Sequence, residues 1–219
     1  MNTRSLTRYC APFVLFLLLL ACTGLLQRLG ISNSQYWLYP LQTLLCAMLV
    51  WLWRREYPLA RPRGAGLTLA IGVLAFGLWV SPQAIFGMQP RLDGFNPEVF
   101  APGSPAYWAT VGFRFARLVV VVPLVEEIFW RGFLLRYLVR EDFTSVPFGT
   151  FTWYSFGFVT LFFALEHQPA DYPAALCTGA LYNLLAVRTR SLSACVVAHA
   201  VTNLLLGGYV MATRQWGFW

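Results

Sequence analysis

Seven apolar stretches, near 9–27, 36–53, 66–86, 107–128, 151–166, 172–187 and 192–212, follow one another along the chain with short polar connections between them. Crossing a hydrocarbon core of ~30 Å takes roughly 20 helical residues, so each stretch reads as a helix that crosses or nearly crosses a bilayer. The expected fold is an all-α polytopic membrane protein with about seven transmembrane helices, six to eight allowing for one boundary error. The longest polar segment, 88–106, carries Pro90, Asp93, Gly94, Pro97, Pro102, Gly103 and Pro105. That density of turn formers forbids a single helix, and the segment is expected to be an external loop. No internal repeat, low-complexity tract or polar domain interrupts the pattern. The chain is read as a single membrane domain, 1–219, in which 1–106 holds three plain spans plus the loop and 107–212 forms a helical core.

Composition reinforces the pattern. Of 219 residues 58% are hydrophobic and 11% charged, against about 25% charged in soluble domains, and the mean hydropathy is +0.58. The net charge of +7 comes from 16 basic residues, all arginine. In a membrane chain such charge sets topology, so no nucleic-acid partner is inferred. A cytoplasmic N-terminus places Arg4, Arg8, Arg54, Arg55, Arg61, Arg63, Arg136, Arg140, Arg188 and Arg190 inside, leaving Arg28, Arg91 and Arg214 outside. Arg114, Arg117 and Arg131 fall within or at the edge of spans, where an ionisable group marks function by default. The five cysteines lie in or beside apolar runs with no CxxC pair, as small buried hydrophobes do. Arg4 and Arg8 before Leu19-Leu20-Ala21-Cys22 loosely resemble a lipoprotein signal, but Leu20 fits it poorly.

The polar residues inside the apolar runs gather in the second half. Glu126-Glu127 ends the run Leu118–Val125, and nothing structural asks for two carboxylates there. Glu127 and Arg131 are four apart with the acid N-terminal, the favourable order for a helical ion pair, while Glu126 points about 100° away. Pro123 removes a backbone donor and frees carbonyls that protein or water must satisfy. Both histidines of the chain, His167 and His199, lie in this half, and Asn203 shares a helical face with His199. A desolvated glutamate can act as general base on water, and histidine and asparagine can donate to an oxyanion. These residue types therefore permit hydrolysis. Zinc is an alternative for the same atoms, but no HExxH motif is present, and the expected cofactor is none. No GxSxG occurs, and Cys195 is the sole thiol near a base.

Three of these patterns carry a family resemblance. Glu126-Glu127 with Arg131 matches EExxxR, Phe163 with His167 matches FxxxH, and His199 with Asn203 matches HxxxN. Over roughly 107–212 the chain resembles the CAAX-protease and bacteriocin-processing family of intramembrane endopeptidases. It is also similar to the CAAX-protease-related membrane proteins that accompany exosortase systems. The resemblance implies a glutamate-type membrane peptidase with Glu126 as base, His167 holding the water, His199 and Asn203 forming the oxyanion site, and Glu127 and Arg131 in support. It further implies a membrane-embedded or lipidated peptide substrate and a place in a bacterial cytoplasmic (inner) membrane.

Counting ~1.5 Å per residue puts Glu126 roughly 15 Å from Arg136 and His199 about 10 Å from Leu192. His167 falls roughly 24 Å from Phe151, too far across to share a water with Glu126. Either 141–153 dips into the membrane or the span limits are off by several residues. Two other readings stand beside the peptidase: a non-catalytic scaffold or immunity-type protein, and a proton-coupled transporter, although the inverted repeats common in transporters are not visible.

Overall fold

The computed structural model describes residues 3–85 and 87–219. Among them are seven helices: α1 (Thr3–Arg28), α2 (Gln35–Leu52), α3 (Ala65–Ala84), α4 (105–137), α5 (Trp153–Leu165), α6 (Tyr172–Thr189) and α7 (Leu192–Thr213). They coincide with the seven apolar stretches, and no strand is present among the described residues. By length and composition α1, α3 and α7 are sufficient to cross a membrane. The connection before α4 is irregular, with a 3-10 turn at Pro97–Val99 and a second turn closed by Ser104 N–H donating to Ala101 O.

Local chemistry sets the helix limits. Ser104, Thr152 and Ser191 cap α4, α5 and α7, each side chain accepting the backbone N–H three residues on, which satisfies a donor the helix leaves unpaired. Gly64, before α3, adopts φ 68°, and Arg190 and Arg214 close α6 and α7 at φ 49° and 57°.

α4 is longer than the expected 107–128 and is not a uniform helix. Two wide π segments, Ala116–Val121 and Ile128–Leu134, flank the α-helical turn Val122–Glu127. In the first, Val122 N–H reaches back to Arg117 O. The same i to i+5 pattern would pair Leu118 O with residue 123, but Pro123 has no N–H. Asn203 Nδ2 supplies the donor instead, at 2.8 Å from Leu118 O. The carbonyl freed by Pro123 is thus met by a side chain of α7.

The bundle is polar inside and apolar outside. Buried polar side chains include Gln42, Glu127, Arg131, Asn183, His199 and Thr202, while Leu18, Trp51, Leu52, Leu74 and Trp153 are exposed. Water does not stabilise such a surface; lipid does. α3 lies against α7 at Gly72, where a Cβ would come within 2.7 Å of Ala198 O, and Thr202 Oγ1 donates to Gly72 O at 2.8 Å. After α4 the chain packs back against α1: Phe143 is buried edge-on to Tyr9 and Phe133, and Arg136 donates to Gly132 O and Val146 O.

Candidate active site

Glu126 and Glu127 leave α4 in different directions. Glu127 is fully buried, and its Oε1 accepts from Arg131 Nη1 and from His199 Nδ1, both at 3.0 Å. Arg131 is equally buried and spends its remaining donors on Asn183 Oδ1 (3.0 Å) and Gly179 O (3.1 Å). Asn183 in turn donates to Phe156 O and Thr160 Oγ1. This chain of contacts ties α4, α5, α6 and α7 together, and every ionised member has an opposite charge or a dipole against it. The i,i+4 pair therefore has a third member, His199, which the sequence alone places only with Asn203.

Glu126 makes no hydrogen bond among the described residues; its Oε2 is buried without a partner. It faces a cavity of about 260 Å³ that His167, His199 and Asn203 also line. The four residues thus converge on one space. His167 stands just beyond the end of α5, with Nδ1 2.8 Å from Phe163 O and its ring against Trp79 and Phe163. His167 and Glu126 line one cavity, so the separation in depth expected from the span limits is not present in the fold. α5 begins at Trp153 and has 13 residues, and His167, two residues past its end, stands at the cavity. α3 and α1 add Trp79, Phe16 and Leu20 to the wall, so the front half of the chain shares in the site.

Sequence reasoning missed Glu166. It lines the same cavity and accepts Trp130 Nε1–H at 3.1 Å. Its signal was present, a second carboxylate at the end of an apolar span and next to His167. Tyr182 and Thr202 were missed as well. Tyr182 OH donates to Thr202 Oγ1 at 2.7 Å beneath the His199 ring, whose centroid is 5.3 Å from that of Tyr182. Among the described residues no three His, Cys, Asp or Glu side chains are grouped so as to hold a metal ion.

The structure is thus an apolar-surfaced helical bundle whose buried carboxylate and imidazole groups face a common cavity, an arrangement that permits general-base chemistry. Residues 108–205 match the family model of Rce1-like proteins, type II CAAX prenyl endopeptidases. Over that segment the helical core of this chain is similar to the CAAX prenyl endopeptidases. No curated protein and no solved structure matches the chain.

Proposed function

We propose that the protein is an intramembrane endopeptidase that hydrolyses a peptide bond in a membrane-embedded or lipidated substrate, with Glu126 activating the water. The observation that carries the reading is the contrast between two adjacent carboxylates. Glu127 lies outside the cavity lining with its Oε1 held by both Arg131 and His199, whereas Glu126 has neither partner and faces the cavity. A carboxylate free of protein donors in a cavity that also holds imidazole groups is suited to general-base work. His167, its Nδ1 turned to Phe163 O, holds the water through its other nitrogen.

The charges balance through the step. With His199 Nδ1–H donated to the Glu127 carboxylate, donation from Nε2 as well calls for the imidazolium form. Glu126 takes a proton from water as the hydroxide attacks the carbonyl. One negative charge moves from Glu126 to the oxyanion, which accepts from His199 Nε2–H and from the second N–H of the Asn203 amide. The total charge of site and substrate is unchanged, which matters in a site surrounded by lipid-facing helices. As the intermediate collapses and the C–N bond breaks, Glu126 returns its proton to the leaving amine.

The site is placed in a bacterial cytoplasmic membrane with the N-terminus inside. The contact of Arg8 with Glu56, and the bonds from Tyr9 OH to Glu56 O and from Tyr57 OH to Arg8 O, support one side for the N-terminal end and the 54–57 turn. The test is cleavage of membrane-anchored reporter peptides by the purified protein in lipid, wild type against Glu126→Gln, with and without chelator. Cleavage lost in the variant and indifferent to chelator supports the glutamate scheme. Loss with chelator moves the chemistry to zinc, and a well-folded wild type that cleaves nothing across a broad library refutes the peptidase reading.

A further inference from the structure

Two buried arginines line the same cavity and have no part in the hydrolytic scheme. Arg114 and Arg117, on the N-terminal half of α4, are 4% and 5% exposed. Arg117 Nε donates to Gln42 Oε1 at 2.8 Å, and its guanidinium lies over the rings of Tyr39 (4.5 Å) and Phe16 (5.0 Å). Its two terminal nitrogens make no hydrogen bond among the described residues. Arg114 is surrounded by Phe95 (4.8 Å), Tyr39 (5.3 Å) and Trp219 (5.8 Å), and its Nε and Nη1 are buried with no acceptor. Among the described residues neither arginine has a carboxylate within ion-pair distance. Arg91, on the same cavity wall, does: it forks onto Asp171 at 2.5 and 3.2 Å.

Among the described residues Arg117 has only the Glu126 charge, beyond ion-pair distance, to offset it and Arg114 has no acid near it, and two such cations in the interior of a membrane bundle are unfavourable unless an anion joins them. Aromatic rings occupy their flat faces by cation–π contact, which leaves the terminal donors of Arg117 and the Nε and Nη1 of Arg114 without an acceptor. Those donors form the fork that fits a carboxylate with two parallel hydrogen bonds.

We propose that Arg114 and Arg117 form a carboxylate-binding subsite that anchors the substrate peptide in the cavity, an inference that rests on reading the cavity as a peptidase site. At ~1.5 Å per residue along α4, Arg117 and Arg114 lie roughly 14 and 18 Å from Glu126. An extended peptide advances ~3.4 Å per residue and the arginine side chains reach part of the way. The carboxylate therefore sits about three to five residues from the scissile bond. Its source is either the end of the peptide chain or an Asp or Glu side chain, which present the same group to the same donors.

Binding tests this separately from turnover. Full-length Glu126→Gln protein in lipid nanodiscs is titrated with fluorescent peptides that end in a free acid or its amide, and with amide-capped peptides that carry Asp or Asn three to five residues from the intended scissile bond. The carboxylate form should bind at least about tenfold tighter than its neutral counterpart, and whichever pair shows the preference identifies the source. Adding Arg114→Gln should abolish the preference and leave the affinity for neutral peptides unchanged, which a purely structural arginine would not do; Arg117→Lys, which keeps the charge, should weaken it. Equal binding of acid and neutral peptides, a preference that survives Arg114→Gln, or no binding by any peptide overturns the subsite. If the arginine variants do not fold, the acid and neutral comparison on the parent protein decides. Acid-selective binding with no cleavage by wild type leaves the subsite standing and refutes the peptidase reading; cleavage without acid preference does the reverse.

Discussion

Replacing Glu126 and Glu127 by glutamine, one at a time, should separate turnover from stability at two neighbouring positions. Glu127 is the single anion between Arg131 and His199, at 3.0 Å from each, in a site with no solvent exposure. Glu127→Gln leaves the Arg131 guanidinium buried without a counter-charge. Breaking a buried pair from one side costs ~3–5 kcal/mol. The amide oxygen still accepts one hydrogen bond, so the lower end, about 3 kcal/mol, is expected, a fall in melting temperature of roughly 6 °C or more for a chain of this size. Glu126 makes no hydrogen bond to protein that the change could break. Glu126→Gln removes a desolvated charge and should leave stability equal or slightly higher. Its turnover should fall by about 10²–10⁴, the contribution of a positioned general base. Thermal unfolding in one lipid–detergent mixture and initial cleavage rates on one reporter measure both quantities. Equal stability of the two variants would refute the division of roles, and so would wild-type turnover in Glu126→Gln.

Arg131→Leu should destabilise as Glu127→Gln does, and Glu127→Leu combined with Arg131→Leu should recover part of that loss in the same unfolding assay, because the cost lies in the unpaired charge. Asn203→Leu strands Leu118 O and should cost about 1–3 kcal/mol and lower cleavage. Gly72→Ala places a Cβ 2.7 Å from Ala198 O and should cost about 1–3 kcal/mol by forcing α3 from α7. Gly77→Ala, with nothing within 4 Å of its Cβ, should stabilise α3 by up to about 1 kcal/mol. Trp130→Phe removes the indole donor to Glu166, and a shift in the pH profile of cleavage without loss of unfolding temperature is the expected sign that Glu166 is coupled to the reaction.

Much of this was legible because lipid makes the code simple. Continuous hydrophobicity over about 20 residues has one helical solution, so the seven stretches became seven helices. The residues that violated the apolar pattern, Glu126, Glu127, Arg131, His167, His199 and Asn203, are the ones the bundle gathers around one cavity or directly behind it. What stayed hidden depends on contacts between helices. Gln42 and Asn183 were single polar residues in apolar spans, as visible as Asn203, but their meaning lies in Arg117 and Arg131 on another helix. The place of His167 beside Glu126 depends on how α5 packs against α4, which hydropathy along the chain does not show.

The least legible feature is the one that places the two carboxylates. A uniform α-helix turns 100° per residue, and from that rule Glu127 and Arg131 were paired correctly while Glu126 had no defined destination. Two π segments, one ending five residues before Glu126 and one beginning just after Glu127, add width to α4 on either side of the turn that carries them. Such bulges have poorer hydrogen-bond geometry and concentrate at functional sites, and here the first leaves a carbonyl that only Asn203 meets. Pro123 is the sole sequence trace of that arrangement. Leu118 O, Pro123 and Asn203 form one unit, so restoring the backbone donor with Pro123→Ala should release Asn203 from Leu118. If the π segment positions Glu126, that substitution lowers cleavage while raising the unfolding temperature; if cleavage is unchanged, the bulge is a packing accommodation and the direction of Glu126 is set by its neighbours alone.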